Sequence, residues 1–128
     1  MTPETLRVLV VDDELLIRWS LAETLTESGH VVSEAADGAH AVRAVEDGTR
    51  SFDVVLLDYR LPDSDNLNLL ARIRRAAPQA QVILMTAYGM PEVIKGALDL
   101  GAYRVLSKPI DMSHLESLVR EAHQARPF

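Results

Sequence analysis

Five short apolar runs, at residues 6–11, 31–35, 52–57, 81–85 and 103–107, alternate along this chain with five segments whose apolar residues recur at helical spacing. A run with few polar interruptions marks a strand covered on both faces, because a strand with one wet face alternates apolar and polar side chains. Covered strands separated by helices leave few topologies: a parallel sheet, right-handed crossovers, and helices on both faces. The expected fold is therefore α/β, a doubly wound five-stranded parallel sheet.

The helical segments carry the stops this reading requires. Ile17, Leu21 and Leu25 share one face of a first helix that ends at Gly29. Asp37 and Gly38 turn into a second helix bearing Ala41, Val42 and Val45, closed near Gly48. After a loop with Pro62, Leu67, Leu70 and Ile73 lie on a third helix that stops before Pro78, since proline cannot extend it. Pro91 opens a fourth helix running through Ile94, Ala97 and Leu98 to Gly101. Asp111 caps a fifth, whose inner face carries Leu115, Leu118 and Val119. In the order 2-1-3-4-5, the first and third strands are neighbours at the point where the winding reverses, and ligands bind in that crevice outside the carboxyl ends of the strands.

A chain of 128 residues suits one domain, here with a core over about residues 6–125. Its formal net charge of −6 disfavours direct nucleic-acid binding, which calls for clustered Lys and Arg. Cysteine is absent, which removes disulfides, thiolate metal sites and cysteine nucleophiles. No apolar stretch approaches the roughly 20 residues needed to span a bilayer, and residues 1–5 lack a basic segment followed by an apolar one. No membrane association and a cytoplasmic location are expected.

Charge gathers at the ends of the runs. Asp12 and Asp13 close the first, Asp58 closes the third, and Lys108-Pro109 follows the fifth. Each acid alone reads as a solvated loop residue; their conjunction on one rim points to a site. Two unit charges 4 Å apart cost about 4 kcal/mol at an effective dielectric near 20, so either a pKa rises or a cation binds. Mg²⁺ (or Mn²⁺) suits one or two carboxylates, a backbone carbonyl and a phosphoryl oxygen. Asp58 is the expected phosphoryl acceptor, because the adjacent acid pair is better placed to hold the metal and aspartyl phosphates are established intermediates. Lys108 would offer the transferred group a compact positive charge, and Thr86 at the end of the fourth run a hydroxyl. The Lys108-Pro109 bond could be cis, turning the lysine into the crevice, or an ordinary trans bond; local sequence leaves both open.

Val10-Val11-Asp12-Asp13-Glu14, Leu57-Asp58-Tyr59-Arg60-Leu61-Pro62, Met85-Thr86-Ala87 and Gly101-Ala102 leading to Lys108-Pro109 together resemble the receiver domain of two-component response regulators. The resemblance covers essentially the whole chain, and the flavodoxin-like strand order belongs to it. Ile17-Arg18-Trp19 and Thr86-Ala87-Tyr88-Gly89 are most similar to receivers of the NtrC-like class. The resemblance implies that Asp58 accepts a phosphoryl group from a sensor histidine kinase or phosphotransfer protein. It also implies that Asp12, Asp13 and Asp58, with the backbone carbonyl of Arg60, hold Mg²⁺, and that Thr86 and Lys108 contact the phosphoryl group. The signal would alter the face made by the fourth helix, fifth strand and fifth helix, about residues 90–124, a face that can also pair two copies. NtrC-like receivers usually precede an ATPase and a DNA-binding domain, so this chain is either a single-domain regulator or a module of a longer one.

Two departures stand out. Family members usually carry Phe or Tyr three residues before the lysine, where this chain has Val105. Tyr103, on the same strand face by alternation, and Tyr88 are substitutes in principle, though surface packing is the expected role of both. After Pro62 the family commonly reads Gly, any residue, Asp, Gly, whereas this chain has Asp63-Ser64-Asp65-Asn66. Asn66 is expected to keep the glycine turn in a left-handed conformation, and Asp63 to be solvated rather than to alter metal affinity. Trp19 reads as a partly covered surface residue or a kinase contact. His30, His40, His114 and His123 have no ligand spacing near the acids and are expected to be solvated.

Competing readings are weaker. A pseudo-receiver that docks a partner without phosphorylation draws support from Val105. A phosphatase with an aspartyl nucleophile typically needs a second acid two residues later, where Arg60 stands. A flavin binder would need an anion-cradling loop where Asp12, Asp13 and Glu14 repel anions. The expectation is a signalling switch that catalyses its own phosphorylation and dephosphorylation and turns over no metabolite.

Overall fold

The structure, a computed structural model, describes residues 4–48, 51–87 and 89–126. Tyr88 lies outside the described residues. Five strands and five α-helices alternate: β1 (Arg7–Val11), α1 (Leu15–Glu27), β2 (Val31–Ala35), α2 (Gly38–Glu46), β3 (Val54–Asp58), α3 (Asn68–Ala76), β4 (Gln81–Thr86), α4 (Pro91–Asp99), β5 (Arg104–Ser107) and α5 (Leu115–Gln124). A short 3-10 turn, Met112–His114, leads into α5. The strands are parallel in the order β2-β1-β3-β4-β5, as the sequence predicts.

The sheet separates two cores. On one face Val8, Val10, Val54, Leu56, Ile83 and Met85 pack against Leu21 and Leu25 of α1 and Leu115, Val119 and Ala122 of α5. On the other, Leu9, Val11, Val55, Leu57, Val82 and Leu84 pack against Ala41 and Val45 of α2, Leu70 and Ile73 of α3, and Ala97 of α4. The apolar runs are continuous because both strand faces need such covers. No helix among the described residues is long and apolar enough to cross a membrane.

Boundaries shift by a residue or two. β3 starts at Val54 rather than Phe52, because Asp53 leaves the run to accept the Arg7 N–H on its carboxylate (2.8 Å). Tyr103 lies in a bend before β5, so alternation does not reach it: it packs on the α1/α5 side, whereas Val105 packs on the other.

Two histidines correct the expectation of solvation: His30 and His123 are only 4% and 5% exposed. His30 exchanges water for protein partners. Its Nδ1 accepts the Leu6 N–H at 3.0 Å and its Nε2 lies 3.2 Å from a Glu116 carboxylate oxygen. His123 falls on the buried face of α5, with Nε2 3.0 Å from an Arg126 guanidinium nitrogen and 3.4 Å from Glu4. His40 and His114 are exposed beside the capping carboxylates Asp37 and Asp111.

Candidate functional site

Register builds the site. Val11 pairs with Leu57, Asp58 with Met85, and Thr86 with Ser107, so the next residue of each strand falls on one rim. Lys108 remains attached to it through its N–H, which donates to the Thr86 carbonyl at 2.8 Å, and the Lys108-Pro109 bond is cis. Asp13, Glu14, Asp58, Arg60, Thr86, Ala87 and Lys108 line a cavity of about 440 Å³ at this rim.

Asp12 and Asp58 are buried, and Lys108 serves both: its Nζ lies 2.9 Å from Asp12 Oδ2 and 3.1 Å from Asp58 Oδ2, with Glu14 at 3.8 Å. One cation cannot neutralise two buried carboxylates. Burial, reinforced by the negative charge of Asp12, pushes the Asp58 carboxyl up to about 6 against the opposing pull of Lys108. Burial works against the Lys108 charge, but its hydrogen bonds and attraction to Asp12 and Asp58 outweigh it and hold the ammonium above its ordinary range.

Carboxylate oxygens of Asp12, Asp13 and Asp58 lie within 4.8 Å of one another, a spacing one cation can bridge. This hard, all-oxygen donor set fits Mg²⁺, which takes few protein carboxylates and keeps waters for the remaining positions. Asp13 is exposed, and an ion held by it would face solvent and an incoming group.

Several contributors escaped the sequence reading. Arg18 donates from its guanidinium to the Asp12 carbonyl (2.8 Å) and to Glu34 (3.0 Å), fixing the acid loop from behind. Glu14 donates its N–H to Asp12 Oδ1 at 2.9 Å. Only Arg18's place one turn into the first helix hinted at this. Asp63 is not simply solvated: its carboxylate accepts the N–H groups of Gly38 and Ala39, at 2.8 and 3.0 Å. Asn66 is not left-handed either, since no described non-glycine residue has a positive φ; its side-chain oxygen accepts the Asn68 N–H at the start of α3 (2.8 Å). A side-chain hydrogen bond thus replaces the glycine turn.

Residues 8–120 match the family model for the response regulator receiver domain. The chain is 39% identical over 122 residues to the transcriptional regulatory protein TcrA of Mycobacterium tuberculosis, covering 95% of this chain and 47% of TcrA. It is 33% identical over 115 residues to sporulation initiation phosphotransferase F of Bacillus subtilis (90% and 91% covered), and 36% identical to the DNA-binding transcriptional regulator NtrC of Escherichia coli (90% and 24%). The chain thus spans about half of TcrA and a quarter of NtrC. A CheY-like receiver from Methanospirillum hungatei superposes with a TM-score of 0.88 at 27% identity (94% and 95% covered), and NtrX of Brucella abortus with 0.84 at 32% (94% and 27%). Matched by the family model over residues 8–120 and folded in the strand order 2-1-3-4-5, this chain belongs to the response regulator receiver domain family.

Proposed function

We propose that this chain is a phosphorylation-activated switch in which Asp58 accepts a phosphoryl group from a sensor histidine kinase or phosphotransfer protein, in a Mg²⁺- or Mn²⁺-dependent reaction. The observation that carries this reading is the convergence of Asp12, Asp13 and Asp58 within 4.8 Å, beside a lysine that touches two of them.

Asp12, Asp13 and Asp58, with the Arg60 carbonyl, would hold the metal. A bound divalent ion supplies charge neutralisation among the acids and on the phosphoryl oxygens. A carboxylate oxygen of Asp58 forms a bond to phosphorus as the phosphorus–nitrogen bond of a donor phosphohistidine breaks. The step requires in-line placement more than covalent assistance. With a pKa of about 6, Asp58 is mostly ionised at neutral pH and ready to act as the nucleophile. Lys108 and the Thr86 hydroxyl then contact the added group. The switch catalyses its own phosphorylation and dephosphorylation and turns over no metabolite.

Exposed Leu16 on α1 lines an apolar groove with Ile17, Lys108, Pro109, Ile110 and Met112, and Leu15 and Trp19 of the same helix are exposed too, a surface suited to a donor that must approach Asp58. The relay runs to the face of α4, β5 and α5, where two copies could also pair. The domain works in the cytoplasm and contacts no DNA itself.

Labelling by acetyl phosphate with Mg²⁺ tests the assignment. Wild type is expected to be labelled and Asp58→Asn not; equal labelling of both would end it, and an unlabelled wild type would favour the pseudo-receiver.

A further inference from the structure

Asp63 stands where relatives of this fold were expected to carry glycine, and it makes a contact no glycine could make. We infer that Asp63 is a positioning residue for the metal site: by clamping the β3–α3 loop to the N-terminus of α2, it sets the placement of the Arg60 carbonyl and so the affinity for Mg²⁺. The inference rests on the metal-dependent reading of the rim proposed above.

The loop is held at both ends. Immediately after β3, the Tyr59 N–H donates to the Met85 carbonyl at 2.8 Å. Leu61 and Ser64 then exchange two backbone hydrogen bonds, 2.8 and 3.1 Å, closing a turn with Pro62 and Asp63 at its centre. That turn aims the Asp63 carboxylate at α2, where its two oxygens take the Gly38 and Ala39 N–H groups. Arg60 lies between the two anchors.

The far anchor is itself tied to the acids. The Asp12 N–H donates to the Ala35 carbonyl at 3.1 Å, just before the turn into α2. Asp63 therefore closes a circuit: Asp12 to Ala35, Gly38 to Asp63, and back through Arg60 to Asp58. Asp37 already caps α2 by accepting the His40 N–H at 2.8 Å, so the helix has a local cap of the ordinary kind. Asp63 takes the first two N–H groups, which Asp37 leaves, with a side chain from 25 residues away.

Gly38 fits the same reading. A Cβ there would lie 3.0 Å from Asp63 Oδ1 and 3.2 Å from a methyl of Leu69, so alanine would displace the carboxylate against its donors by a few tenths of an ångström. Groups that orient metal ligands commonly change metal affinity about 10- to 100-fold when removed. An effect of about tenfold is expected here, at the low end, because Asp63 acts on one carbonyl ligand through the chain.

The test is calorimetric titration of Mg²⁺ into wild type, Asp63→Ala, Asp63→Asn and Gly38→Ala, with melting temperatures measured alongside. Asp63→Ala is expected to weaken Mg²⁺ about tenfold. Asp63→Asn, which keeps one acceptor oxygen, should recover part of that loss. Gly38→Ala should weaken Mg²⁺ less than Asp63→Ala does, and the double variant Asp63→Ala/Gly38→Ala should be no worse than Asp63→Ala. Acetyl phosphate labelling of Asp63→Ala should return to near the wild-type rate at saturating Mg²⁺. Unchanged Mg²⁺ affinity in a folded Asp63→Ala overturns the inference and leaves the site's reading standing, as does a lowered melting temperature with affinity intact. A wild type that binds no Mg²⁺ overturns both.

Discussion

Asp58 occupies a position where its own charge opposes folding. Its carboxyl titrates near 6 in the folded protein, above the ordinary aspartate value of 3.8, because burial and Asp12 disfavour the anion more than Lys108 favours it. Between those two values the folded protein retains a proton that the unfolded chain has lost, so stability declines as pH rises through the window and stays lower above it. Asp58→Asn removes this cost. In metal-free buffer the variant is expected to be more stable than wild type at pH 7 by on the order of 2 kcal/mol, with the gain shrinking toward pH 4. Urea denaturation at both pH values checks this; a gain of equal size at each would refute the electrostatic account. The site's principal residues were legible because each ends an apolar run, and register then brings such ends together. Asp63 was not legible, since its partners are backbone groups 24 and 25 residues away whose direction no side-chain pattern encodes.

Among the elements, α5 shows how a buried polar group serves packing. His30, just before β2, accepts the Leu6 N–H just before β1, and the opposite ring nitrogen faces Glu116 of α5. Because Nδ1 accepts, the proton sits on Nε2 and points to that carboxylate. Arg120 braces the same corner, donating to Glu116 at 3.0 Å and to the Glu4 carbonyl at 3.1 Å. His30→Phe keeps the bulk but strands a buried donor, and is expected to cost about 1–3 kcal/mol. The measurement is chemical denaturation with amide exchange at Leu6, and protection there equal to wild type would contradict the role given to the ring. Isolated histidines near no acid motif read as surface residues, because sequence cannot anticipate which backbone donor beside a strand needs a side-chain acceptor.

For the molecule as a whole, the strand order and both helical layers were readable because long covered runs and capped amphipathic helices agree with a single topology. Tyr103 misled because alternation holds only inside a strand, and this residue sits in the bend before β5. The sheet is also a partition. Leu25 belongs to the side shared by α1 and α5, Ile73 to the side of α2, α3 and α4, and both are fully buried. Leu25→Ala and Ile73→Ala are each expected to cost about 2–5 kcal/mol. Their combination, measured in a background stable enough to survive it, should equal the sum within about 0.5 kcal/mol, the behaviour of distant sites with no shared neighbours. Two compartments that relax independently allow a lineage to remodel one helical layer while the opposite layer drifts under its own constraints.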